Sequence, residues 1–207
     1  MNLDTRIFYA VNDFARDTPW LHPVVSGYAG YGVLLFAGLL LWGWWTARQD
    51  DDRGRMVAAA WAPLGMLCAL AINQPIASAV DETRPCRALH DIVVLHCSSD
   101  AGFPSDHAVM AGAITAALWL VHRQLGVLSA IAAVAMAASR VYVGAHYPQD
   151  VVAGLLLGGC DQSGRVPAGS TAVAVVAHTC RPQSTAHSAQ PGRTVDCRGI
   201  SDVRKVR

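Results

Sequence analysis

Residues 125–159 read LGVLSAIAAVAMAASRVYVGAHYPQDVVAGLLLGG. An apolar run long enough for a membrane helix carries Ser139 and Arg140 near its end. His146 and Asp150 follow, on either side of Pro148, and then the chain turns apolar again. Proline suits the first turn of a helix, so His146 falls just before a helix and Asp150 inside its first turn. Ionisable groups at membrane depth are costly, and they are functional by default. The stretch therefore predicts two membrane helices joined by a turn that carries chemistry.

The rest of the chain repeats the pattern. Residues 24–46 and 56–80 contain no charge and are long enough to span a bilayer. Trp42, Trp44 and Trp45 precede Arg48, as in an interfacial aromatic belt. A third span covers 107–121 and can extend back to Gly102, a fourth covers 125–143, and a fifth begins at Pro148. Asn73, Gln74 and Pro75 in the second span read as interhelical contacts. Residues 1–23 place Ile7, Phe8, Val11, Phe14 and Ala15 at helical spacing among charges, as in an amphipathic interfacial segment. The expected fold is an all-α integral membrane protein, a bundle of about five transmembrane helices preceded by an interfacial helix. Its domain is expected to occupy 24–160.

Composition agrees. The 207 residues are 53% hydrophobic and 15% charged, against about 25% charged in soluble domains. A net charge of +1 gives no case for a nucleic-acid partner. Arg48, Arg53, Arg55 and Arg123 lie in the two loops of one face, which marks that face as cytoplasmic. Although Arg84 and Arg87 lie on the opposite face, the polar clusters there are expected to face outward. Cys86 and Cys97 also lie there. An oxidising compartment would permit a disulfide between them, and two unpaired thiols are the alternative. After Gly159 the composition changes to Ser, Thr, Gly, Pro and Arg, so 161–207 is expected to be a low-order tail. A shifted reading frame is one expected origin of it. The 13 residues from Pro148 to Cys160 would make a helix of only roughly 20 Å, short of a ~30 Å hydrocarbon core.

Three clusters carry the chemistry: Arg84-Pro85, Pro104-Ser105-Asp106-His107, and Ser139-Arg140 with His146 and Asp150. Arginine forks match phosphate oxygens. Ser105 opens a helix, where free N–H groups bind anions, although simple N-capping explains the serine equally well. An aspartate beside His146 would fix its tautomer and leave the other ring nitrogen as a nucleophile. Neither an HExxH nor a paired-cysteine motif supports zinc.

Taken together, the clusters resemble the signature of the type-2 phosphatidic acid phosphatase superfamily. That signature is Lys, six residues, Arg-Pro; then Pro-Ser-Gly-His; then Ser-Arg, five residues, His, three residues, Asp. The third cluster matches fully. The resemblance implies His146 as the nucleophile of a phosphohistidine intermediate, oriented by Asp150. It implies His107 as the acid for the leaving oxygen, and Arg84, Ser105 and Arg140 as phosphate ligands, with no cofactor and no metal required. Two positions depart from the pattern. Ala77 stands where the family lysine belongs, with Arg87 as one substitute for the lost contact. Asp106 stands where many members carry glycine. Pro-Ser-Asp-His is similar to the bacitracin-resistance type of undecaprenyl-pyrophosphate phosphatase. The implied activity is hydrolysis of undecaprenyl (polyprenyl) diphosphate to the monophosphate at the outer face of a bacterial plasma membrane. The alternatives are a phosphatidic acid or phosphatidylglycerophosphate phosphatase, or a catalytically defective membrane protein. The expected partners are the lipid substrate and the bilayer.

Overall fold

The computed structural model describes residues 3–50 and 52–165, with backbone only for 162–165. These residues are mostly helical, and no strand occurs among them. The expected tail falls largely outside the described residues.

Helix α1 (Leu3–Asp17) comes first, and a single 3-10 turn (Pro19–Leu21) joins it to α2 (His22–Gln49). Then come α3 (Arg53–Val80), the short α4 (Pro85–Ala88), α5 (Asp106–Val121), α6 (Arg123–Tyr142) and α7 (Pro148–Arg165). The stretches Pro19–Gln49, Arg53–Ala88 and Arg123–Tyr142 are each long and apolar enough to cross a membrane. Helix α5 is apolar but shorter, at 16 residues. Helix α7 continues five residues past Cys160, taking Asp161 to Arg165 into the helix. Its 18 residues span about 27 Å at ~1.5 Å per residue, nearer the ~30 Å of a hydrocarbon core than the sequence predicts.

Local chemistry fixes the ends of these helices. The Asp52 carboxylate accepts from the N–H groups of Gly54 and Arg55, capping α3. Helix α6 ends at Gly144, whose φ of +80° puts it in the left-handed region where a side chain is strained. The chain turns there and runs straight into His146. Trp42, Trp44 and Trp45 are exposed near the end of α2, and Arg48 stacks 4.8 Å from the Trp44 ring.

Helix α5 is the centre of the bundle, packed against α2, α3, α6 and α7. Phe36, Ile114, Leu118, Leu125 and Met136 fill the space between α2, α5 and α6. The α5–α7 seam is the tightest, because small residues let the two backbones meet. A Cβ at Gly158 would run into the Val109 carbonyl, whereas one at Gly159 meets nothing within 4 Å. This seam matters for function because α5 and α7 both begin at the site.

Helix α1 is amphipathic as the spacing predicts, but its buried stripe faces protein. Phe8, Asn12 and Ala15 are buried, with Phe8 against Ala108, Ala137, Val141 and Val151. Leu3, Ile7 and Phe14 point outward. The Asn12 side chain also clamps the backbone of Val93, donating to its carbonyl at 2.8 Å and accepting from its N–H at 2.9 Å. That clamp ties α1 to the long loop from Asp81 to Ser105.

Gly158→Leu should drive α5 and α7 apart and destabilise the protein by about 3 kcal/mol, as overpacking of a closed interface does. Gly159→Leu should be tolerated. Thermal unfolding of both variants in detergent measures the difference.

Candidate active site

Every expected site residue lies at one end of the bundle. The loop from Asp81 to Ser105, the start of α5, the end of α6 and the start of α7 meet there. The Ser105 N–H donates to the Asp150 carbonyl at 3.1 Å, joining the beginnings of α5 and α7. Leu95 and His96 donate backbone N–H groups to the Val143 carbonyl, which lays the loop over the turn that carries His146.

Arg84 is the hub, with only 5% of its surface exposed. Its Nε donates to the Asp100 carbonyl at 3.1 Å and its Nη2 to the Asp100 carboxylate at 2.7 Å. Its Nη1 donates to the Ala145 carbonyl at 3.3 Å and to Nε2 of His146 at 2.7 Å. A guanidinium can only donate, so Nε2 must hold a lone pair. The ring proton is therefore on Nδ1, which donates to the Gly102 carbonyl at 2.8 Å. Burial first, then the charges of Arg84 and Arg140, push this imidazole down to about 3. The ring is neutral at physiological pH, with its lone pair facing the Arg84 guanidinium.

Asp150 plays a different part from the one its spacing suggests. Its Oδ2 lies 3.6 Å from His146 Nδ1 and accepts instead from the Tyr147 N–H at 2.8 Å. It braces the turn that carries His146, while the Gly102 carbonyl takes the ring proton.

Ser105 occupies the N-cap position of α5, yet its side chain makes no capping bond. Its Oγ is fully buried and has no partner among the described residues. Capping therefore does not account for this serine. Arg140 is 2% exposed; its Nη1 donates to the Ala29 carbonyl at 3.3 Å, and its Nε has no partner among the described residues. An orphaned buried donor costs about 1–3 kcal/mol, and a ligand oxygen would satisfy it. His107 is half-buried in the first turn of α5, within electrostatic reach of Arg140 and His146.

The two departures from the expected pattern have structural answers. Asp106 accepts from the Asn73 amide at 2.7 Å and the Gln74 amide at 3.2 Å, so it ties α3 to α5. Asn73 and Gln74 thus make the interhelical contacts that the sequence predicts. Ala77 lines a cavity of ≈ 270 Å³ together with Gln74, Ser78, Arg84, Asp100 and Asp106. Arg87 does not line that cavity; it is exposed and donates to the Ser99 carbonyl at 2.9 Å. It therefore does not supply the lost lysine contact. Among the described residues, no group of three His, Cys, Asp or Glu is placed to hold a metal ion.

Asp100, Gly102 and His96 are parts of the site that motif spacing does not reveal. Partial burial pushes the Asp100 carboxyl up, but hydrogen bonding and the nearby positive charge of Arg84 together outweigh it and hold the group below its usual range. Burial, then Arg140 and Arg84, push His96 below an ordinary imidazole. A disulfide between Cys86 and Cys97 encloses His96 within this loop, with Asp100 and Gly102 just beyond it, and this pair of cysteines was the loop's one sequence signal.

Buried guanidinium groups beside a neutral imidazole with a free lone pair, at one end of an apolar bundle, suit a membrane-bound enzyme of phosphate esters. The sequence matches the PAP2 superfamily over residues 58–160, and the chain belongs to that superfamily. It is a membrane lipid phosphatase. It is 30% identical to the bacitracin transport permease protein BcrC of Bacillus licheniformis, over 76% of this chain and 75% of that one. It is 28% identical to the undecaprenyl-diphosphatase BcrC of Bacillus subtilis (strain 168), over 75% of this chain and 78% of that one. The fold is similar to the crystal structure of Aquifex aeolicus LpxE, with a TM-score of 0.61 at 21% identity. That match covers 78% of this chain and 93% of the other.

Ser105→Ala should leave the thermal unfolding midpoint in detergent within about 2 °C of wild type, because no capping bond is lost. A fall as large as a lost cap, about 1 kcal/mol, would return the serine to a structural role.

Proposed function

We propose that the protein hydrolyses polyprenyl diphosphate, of the undecaprenyl type, to the monophosphate through a phosphohistidine intermediate. The observation that carries this reading is the Nε2 lone pair of His146, directed at Arg84 by the Gly102 carbonyl behind the ring.

Arg84, Arg140, Ser105 and the N–H groups opening α5 hold the terminal phosphate. His146 Nε2 attacks phosphorus, and the bond from phosphorus to the bridging oxygen breaks. His107, protonated, gives its proton to that oxygen, and the lipid monophosphate leaves. Water then attacks the phosphohistidine and gives a proton back to His107. Inorganic phosphate departs and His146 regains its lone pair. The arginines act where negative charge grows on the phosphoryl oxygens, which is the largest single contribution in such reactions.

Support for a diphosphate lipid comes from the relative named an undecaprenyl-diphosphatase and from the polar cavity beside Arg84, which offers room for a second phosphate group. Support for an outward-facing site comes from the Cys86–Cys97 disulfide in its covering loop and from the arginines at the opposite end of the bundle. Residues 1–23 act as an interfacial segment through the outward-facing Leu3, Ile7 and Phe14.

The test is phosphate release by the purified protein in detergent, side by side on undecaprenyl diphosphate, phosphatidic acid and phosphatidylglycerophosphate. The diphosphate should be turned over fastest, chelator should not stop the reaction, and orthovanadate should inhibit it. His146→Ala should abolish release and the acid-labile phosphoenzyme while the protein remains folded. Faster turnover of either phospholipid would reassign the substrate, and undiminished turnover by the variant would discard the mechanism.

A further inference from the structure

The Asp100 carboxylate is the unexplained group in this site. It stands 61% exposed at the rim, yet it takes Nη2 of a guanidinium that is 5% exposed. Its own carbonyl takes Nε of the same guanidinium. Two faces of the Arg84 fork are thus committed to one loop residue, and the third bonds the nucleophilic nitrogen. One carboxylate oxygen and one backbone carbonyl oxygen of Asp100 thus occupy two donor positions of the fork that two phosphate oxygens could take.

We infer that Asp100 is an internal stand-in for the substrate anion, a specificity-determining residue that a phosphate group must displace from Arg84 before His146 is released for attack. The inference rests on the reading of Arg84 as a phosphate ligand. A phosphate reaching the fork competes with the Asp100 carboxylate for Nη2. As the guanidinium turns toward the phosphate it gives up Nε2 of His146, so occupancy of the site and exposure of the nucleophile are one event. Competition by charge sets a threshold. A diphosphate, with more negative charge near the fork, displaces Asp100 more readily than a monophosphate does. The loss of the lysine at Ala77 sharpens this competition, because Arg84 is the one cation lining that cavity among the described residues. Asp100 is a positioning residue here: it acts on the reaction through Arg84 and does not touch the reacting atoms.

Kinetics on the full-length protein in detergent test this, with farnesyl diphosphate and farnesyl monophosphate as probes and orthovanadate as inhibitor. Asp100→Asn keeps the shape and removes the charge. It should lower KM for the diphosphate and the inhibitory concentration of orthovanadate by about threefold or more. It should lower KM for the monophosphate further, narrowing the preference between the two, with less effect on kcat. Asp100→Glu should restore wild-type behaviour. Asp100→Ser removes the same charge and gives the same reading if the asparagine variant does not fold. An unchanged or raised KM in the charge-removing variants overturns the inference. Arg84→Ala separates the two levels of the argument. If it loses orthovanadate affinity while Asp100→Asn matches wild type, only the stand-in fails. If it keeps wild-type KM and inhibition, the phosphate-binding role of Arg84 fails as well.

Discussion

The hydrogen bond between Arg84 Nη1 and His146 Nε2 is the contact on which the rest of this site depends. It is directional in a way few histidine contacts are, because one partner can never accept. It fixes which ring nitrogen carries the proton and therefore which one keeps its lone pair. The neighbouring features support that single choice: the Gly102 carbonyl receives the proton from behind, and burial with two nearby guanidinium groups keeps the ring neutral. Asp150 holds the turn still.

The bundle supplies the rigidity this contact requires. His107 and His146 belong to segments far apart in sequence, and they meet because α5 and α7 touch backbone to backbone along a glycine seam. The Ser105–Asp150 backbone bond closes the seam at the site. In a bilayer, where apolar side chains gain little from leaving lipid, close packing of this kind holds helices together. A site mounted on such a seam can be held to a fraction of an ångström, while the lipid-facing surfaces remain free to vary.

The long elements were legible because membrane helices declare themselves through uncharged runs. The three clusters were legible because arginine and histidine are costly beside such runs and persist there when they have a task. The extension of α7 through Asp161–Arg165 was not, since composition alone gives no helical signal there. The roles of Asp100 and Gly102 were also hidden. A loop carbonyl has no side chain to read, and an aspartate in an outer loop looks like ordinary surface charge until Arg84 is seen against it. Ser105 was ambiguous because capping and phosphate binding require the same residue at the same position; the structure shows no capping bond. The direction in which α1 turns its apolar stripe depended on a partner surface that its own 15 residues do not encode.

The Asn12–Val93 clamp has a consequence for biogenesis. Its two halves are 81 positions apart. As the chain emerges and its first spans enter the bilayer, α1 has nothing to grip. The covering loop can settle only once the chain beyond Val93 has been made and brought back to the N-terminal helix. Catalytic competence is therefore acquired late in assembly, and a partly inserted chain has no finished site with which to attack the lipids around it.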